Sequence, residues 1–347
     1  MQELMNFSEY PDDLTRFNHD WEEVRSFTRH EGLDGIELLI GSDTSAPNIP
    51  DGLVKTVHLP GWFGWTRTWK EPHTIPKDCD VSEIRYYYGT ATSDGLLHSF
   101  RSNIERATDL KAAYGVLHVS HVELEEVYTR NFRYNSKEVL SAAASFVNTA
   151  FSPYRNGEPP VTLAFENLWW PGLTFRSEEE IEYFAGLLNF DNWMFVLDTG
   201  HLMNGLGVRS ESEGIQKVLS ALESLSEETV DRIRSIHMQC SLSEAYQQAY
   251  LRCSPPSSFS TMSYGEKMIE LWRHIPHIDE HRPYSDGSCS EILDIVQPEY
   301  LVHEFITRSR EELQEYIRKQ KAVTGIIHED IFREICPSFE GNQFYKS

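Results

Sequence analysis

Along this chain, short runs of consecutive apolar residues alternate with longer stretches in which apolar residues recur every three or four positions. The runs are ELMNFS (3–8), DGIELLIG (34–41), LVKTVHLP (53–60), YGVLHVSH (114–121), VTLAFENL (161–168), WMFVLDTGH (193–201), IRSIHMQC (233–240) and YLVHEF (300–305). Near-continuous apolarity over so few residues fits strands buried on both faces. The stretches 12–32, 94–113, 136–151, 177–188 and 212–225 carry helical spacing, and the first of them ends on Gly32. Ser177 and Ser212 precede acids in a first turn and are read as N-caps. Eight strands alternating with helices predict an α/β fold, a (β/α)8 TIM barrel.

No Pro/Gly/Ser-rich linker divides the chain, so residues 1–320 are expected to form a single barrel domain. Residues 321–347 are expected to form a tail with one short helix, IHEDIFREI. Long loops are expected after the third and seventh strands, at 61–93 and 241–299. On the C-terminal face of a barrel such loops build or cover the site.

Composition restricts the functional classes. Hydrophobic residues make up 40% and charged residues 24% of the 347 residues, as in a soluble protein with a sizeable core. No apolar run is long enough for a membrane span, and MQELMNFSEYPDD does not read as a signal peptide. The five cysteines are far apart and read as reduced thiols in a cytoplasmic protein. The formal charge is −23, with 54 acidic against 31 basic residues. No Lys/Arg-rich tract offsets it, which disfavours duplex DNA as a partner.

The strand ends carry the chemistry. Strand three ends at His58, and strand four at His118 with His121 close behind. Strand five ends at Glu166-Asn167, strand six at Asp198 with His201, strand seven offers His237, and strand eight ends at Glu304. One histidine at a strand end is an ordinary satisfied polar residue, and Asp198 alone is an ordinary helix cap. Six successive strands ending in imidazole or carboxylate are another matter, because a barrel brings those ends to one rim. Imidazole and carboxylate without thiolate suit Zn²⁺, Mn²⁺ or Fe²⁺. In HIDEHRPYSDG (277–287), Asp279 and His281 stand two apart and face one side of an extended segment. They read as two further ligands or as part of a polar loop.

In this ligand order the chain resembles the xylose isomerase-like TIM-barrel superfamily, and within it the endonuclease IV family. That family holds three Zn²⁺ with the order His, His, Glu, Asp, His, His, Asp-x-His, Glu. The matching residues here are His58, His118, Glu166, Asp198, His201, His237, Asp279 with His281, and Glu304. The resemblance spans residues 2–306, with a longer loop between His237 and Asp279 than the family pattern suggests. It implies that Glu166 bridges two ions. His58 and His118 would complete the first; Asp198, His237 and Glu304 the second; His201, Asp279 and His281 the third. Ions so held would activate water and neutralise charge on a phosphoryl oxygen. Asn167 and His121 are candidates to orient ligands, His121 equally for a structural role.

Three functions remain open at this point. The first is a multinuclear zinc hydrolase of a phosphoester-type bond, which the third set of ligands favours. The second is a sugar or sugar phosphate isomerase/epimerase, with one Mn²⁺ or similar ion on Glu166, Asp198, His237 and Glu304, and with the two glutamates moving protons. The third is a barrel whose metal site only binds. The expected substrate is a small sugar- or phosphate-containing molecule; a corrinoid is also conceivable, because some relatives with this pattern cleave the nucleotide loop of cobamides. Trp62, Trp65, Trp169 and Trp170 stack on such a substrate or pack the loops, and Arg282 faces a phosphate or solvent.

Overall fold

Eight strands close on themselves in chain order: β1 (Gln2–Ser8), β2 (Gly35–Leu39), β3 (Val54–His58), β4 (Tyr114–His118), β5 (Thr162–Glu166), β6 (Trp193–Asp198), β7 (Ile233–Met238) and β8 (Tyr300–His303). This is seen in a computed structural model that describes residues 1–41, 48–77, 79–251, 255 and 257–325. Every neighbouring pair is parallel, including β1 with β8, and helices separate the strands. The fold is the (β/α)8 barrel that the sequence predicts.

The two-residue period of a strand decides what reaches the barrel's centre. Tyr114, Val116, Ala164, Met194 and Val196 form an apolar plug of their own. One period further along β4, β5 and β6 stand His118, Glu166 and Asp198, on the same face as that plug. The alternate residues Leu117, Phe165, Phe195 and Leu197 join the larger core beneath the helices. The register sets His118 opposite Glu166 and Asp198 opposite His237. Polar residues therefore end the inward-facing rows at one level, and that level is the mouth of the barrel.

Several elements differ from the sequence expectation. The stretch 12–32 divides into Pro11–Thr15 and Trp21–His30, because Asn18 and His19 adopt positive φ and Asp20 caps the second helix. Helix Ser136–Phe151 keeps its expected bounds, and Ser177 caps as expected. Ser210, not Ser212, caps Glu211–Glu223; it accepts from the Glu213 backbone and starts the helix earlier. The long connections carry helices of their own: Trp65–Lys70 and Val81–Tyr88 follow β3, while Glu244–Leu251, Tyr264–His274 and Ser290–Val296 follow β7. Tyr87, Tyr88 and Tyr264 from these two connections pack together in a second apolar cluster with Leu168 and Trp170. Apolar residues that read as loop thus build a wall at the C-terminal face.

The last helix among the described residues, Arg310–Thr324, runs past residue 320. The expected short helix of the tail lies outside the described residues. Lys321 fastens the last helix: its Nζ lies 3.0 Å from Glu3 Oε2 and donates to the carbonyls of Glu31 and Gly32. Both partners are buried. Burial alone would raise the Glu3 carboxyl, but His303 and Lys321 outweigh it and hold it below its ordinary value. Breaking one side of a buried pair leaves a charge uncompensated. Lys321→Met is therefore expected to lower unfolding free energy by about 3–5 kcal/mol, read as a lower denaturant midpoint at unchanged slope. An unchanged midpoint would count against this anchor. No helix among the described residues is long and apolar enough to cross a membrane. Cys240 and Cys289 carry free thiols; Cys253 and Cys336 lie outside the described residues.

Candidate metal centre

The nine residues converge in three groups. His58, His118 and Glu166 form one, Glu166, Asp198, His237 and Glu304 a second, and His201, Asp279 and His281 a third; within each, ligand atoms lie within 4.8 Å of one another. Glu166 belongs to two groups because its oxygens face different ways. Oε2 lies 3.2 Å from both His58 Nε2 and His118 Nε2. Oε1 lies 3.2 Å from His201 Nδ1 and 3.4 Å from His237 Nδ1.

The donor set suits cations atom by atom. His58 Nδ1 faces the Leu59 carbonyl at 2.8 Å, His201 Nδ1 the Asn167 carbonyl at 2.9 Å, and His281 Nδ1 the Glu304 carbonyl at 3.2 Å. A carbonyl only accepts, so each Nδ1 donates and each Nε2 is left to present a lone pair to its group. His58 Nε2 and His118 Nε2 stand 3.0 Å apart. A tetrahedral ion with donors at about 2.0–2.1 Å sets them roughly 3.3 Å from each other. His281 Nε2 and His201 Nε2 lie 2.7 Å and 3.2 Å from Asp279 Oδ2. Glu166 Oε1, Asp198 Oδ2, His237 Nδ1 and Glu304 Oε2 are buried without a hydrogen-bond partner. His237 Nδ1 lies 2.8 Å from Glu304 Oε2, yet without the alignment a hydrogen bond needs. Lone pairs crowded this way suit divalent ions.

Electrostatics points the same way. Burial and then Glu304, Glu166 and Asp279 push Asp198 well up, against His201. Burial would lower His237, but Glu37, Glu304 and Glu166 outweigh it and push it well up. His201 rises in the same manner beside Asp198 and Asp279. Without cations the centre relieves its four carboxylates by holding protons; cations would replace them.

Asp198 answers both descriptions given to it by the sequence. Its Oδ1 accepts from the His201 backbone at 2.6 Å and caps helix Thr199–Leu206, while Oδ2 faces the centre unpartnered. Asn167 ties β5 to β6, donating to the Asp198 carbonyl at 3.0 Å and accepting from the Asp198 backbone at 2.8 Å. It thereby fixes Asp198 and His201 together.

Three polar residues escaped the sequence reading. Glu37 Oε1 lies 2.8 Å from His237 Nε2, and Gln239 Nε2 donates to Asp198 Oδ1 and Asp279 Oδ1, both at 3.1 Å. Asn204 Nδ2 reaches Asp279 Oδ1 at 3.4 Å. Glu37 was visible as an acid in the middle of an apolar run, and Gln239 as one strand period after His237. Gly200 explains itself here: a Cβ on it would stand 2.1 Å from the Gln239 amide. Gly200→Ala is expected to expel Gln239 and weaken metal retention about 10–100-fold, the scale of losing a ligand-orienting partner. Competition with a chelator would measure it, and unchanged retention would free Gln239 of that role.

The remaining site residues are placed differently from one another. Trp65 is buried, donates Nε1 to the Ser120 carbonyl at 2.8 Å and packs on Phe146, so it secures a loop. Arg282 is exposed and pairs with Glu280 at 2.6 Å, which neutralises it at the surface. The Trp169 ring stands 5.1 Å from that of His201 and borders the third group. Trp62, Trp170 and His121 line a cavity beside His118.

No protein-family model matches the chain, and no curated protein matches it in sequence. In three dimensions it is similar to endonuclease IV from Thermus thermophilus, at 14% identity and TM-score 0.50, covering 94% of this chain and 100% of that one. It is similar also to L-ribulose 3-epimerase, at 13% identity and TM-score 0.50, covering 98% and 99%. The likeness is one of fold: all three are (β/α)8 barrels.

Proposed function

We infer that this chain is a metal-dependent hydrolase of a phosphoester-type bond in a small substrate, working with up to three Zn²⁺. The observation that carries this reading is the third group. His201, Asp279 and His281 are buried, mutually in reach and complete beside the other two groups. An isomerase has no use for them. Ions held by the three groups would supply Lewis acidity and activate water near neutral pH. The chain's own part is to hold and orient. Glu166 joins two groups through opposite oxygens. Glu304 offers the second group a charged ligand: burial would raise it, but His237 outweighs burial and holds the carboxyl at about 2, ionised at neutral pH. Asn167 fixes the Asp198 backbone, and Gln239 fixes the Asp198 and Asp279 carboxylates. A net charge of −23 favours a small substrate over a nucleic-acid polymer.

A second reading rests on a specific observation: Glu166, Asp198, His237 and Glu304 form a four-ligand group by themselves. An isomerase or epimerase would use one Mn²⁺ there, with Glu166 and Glu304 moving protons on either side of a carbon. Metal analysis of purified protein separates the two, combined with turnover of bis(p-nitrophenyl) phosphate and of a ketose. Near three zinc per chain with phosphodiester cleavage supports the hydrolase; one manganese with epimerisation replaces it. His281→Ala is expected to remove one ion and lower phosphodiester turnover about 100-fold. Full turnover in that variant would discard the third group from the reaction.

A further inference from the structure

Beside His118 lies a cavity walled by Trp62, Phe63, Leu168 and Trp170, with the His121 imidazole in its lining. Its walls come from the connections after β3, β4 and β5, so it opens at the same face as the metal groups. His121 is 2% exposed, yet neither ring nitrogen has a hydrogen-bond partner. A buried imidazole nitrogen left without a partner forfeits the hydrogen bond that water would give it. The nearest polar atom given to it is Glu123 Oε1, at 3.5 Å from Nε2, and that oxygen also lacks a hydrogen bond. Arg67 at 3.2 Å and the Tyr88 hydroxyl at 2.9 Å hold the other oxygen of Glu123. The imidazole is thus buried, with Nε2 beside Glu123 and Nδ1 left without a partner.

The character of the missing partner follows from the walls. No lysine or arginine lines the cavity, so it is not built for a phosphate. The space takes about one water-sized group. Indole and phenyl faces suit the C–H face of a saturated carbon, and an imidazole suits one hydroxyl. We propose that this cavity is a substrate subsite for a hydroxyl-bearing carbon of a polyol or sugar, read by His121, next to the metal groups that take the charged end. This deepens the hydrolase reading and rests on it for the charged end: the substrate is a phosphoester with a polyhydroxylated neighbour to the reacting bond.

Two phosphates of equal charge test it on the zinc-loaded protein: sn-glycerol 3-phosphate, which carries hydroxyls, and n-propyl phosphate, which carries none. Wild type is expected to bind the first at least about tenfold tighter, the scale of one buried hydrogen bond. His121→Phe should bring the ratio to near one, and His121→Gln, which keeps a hydrogen-bonding head, should restore part of it. Equal affinities in wild type, or a ratio that survives His121→Phe, would overturn the proposal. Nitrogen-15 spectra of histidine-labelled wild type with erythritol read the subsite without phosphate. His121 ring resonances should shift, and unmoved resonances overturn the subsite by themselves. Failure of both phosphates to bind while erythritol still shifts His121 would refute the phosphoester reading and leave the subsite standing.

Discussion

Glu166→Gln is expected to empty two of the three groups at once and to lower turnover by on the order of 10³ or more. The substitution keeps shape and volume, so the barrel around it has no packing reason to change. What it removes is the charge shared between Oε2, facing His58 and His118, and Oε1, facing His201 and His237. Burial would raise this carboxyl, but His118 and His237 outweigh burial and hold it well below its ordinary range. It is thus an anion at any working pH. An amide offers one oxygen and a nitrogen that donates, and the donor end would oppose either a cation or an imidazolium. Among the described residues no other side chain belongs to two groups. Loss of His281 should therefore cost one ion, whereas loss of the Glu166 charge should cost two. Metal analysis of both variants side by side gives the comparison. Wild-type metal content in Glu166→Gln would remove the shared carboxylate from the centre of this account.

Much of this was legible because a barrel translates sequence into space by a simple rule. Strand order gives angular position, and the last inward residue of each strand faces the mouth. His118, Glu166 and Asp198 could be read that way because each ends an apolar run. The same rule hid Glu37, which lies deeper in its strand and supports His237 from below rather than facing the mouth. Connections were less legible. Trp65 and Trp169 lie in similar aromatic surroundings along the chain, yet one secures a loop through its indole N–H and the other borders His201. That outcome depends on how the connections after β3, β5 and β7 pack on one another, and pairwise packing of distant segments leaves no periodic trace. Arg282 illustrates the same limit. Its neighbour His281 turns into the centre with φ of 48°, while the guanidinium turns out to Glu280.

Metal uptake is expected to release protons and to weaken steeply as pH falls below about 9. Burial would lower His281, but Asp279 outweighs it and lifts the imidazole to about 9. His201 and His237 are raised as well. At neutral pH the metal-free protein therefore carries imidazoliums where a cation must find lone pairs, and each proton displaced adds a factor of about ten in affinity per pH unit. Two such protons, on His201 and His281, would give the ion of the third group a slope near two decades per unit in the steep range. Stability of the metal-free protein runs the opposite way. A raised imidazole contributes stability in full below its ordinary value near 6.5, and loses it as pH climbs through about 9. Chelated protein should then be firmest where it binds metal worst, and the gain in melting temperature from added zinc should widen from pH 6 to pH 9. Calorimetric titration of zinc in two buffers of different ionisation enthalpy counts the protons directly. A count of zero at pH 7 would mean that these histidines already stand neutral, and that the carboxylates facing them are not the ion pairs the geometry describes.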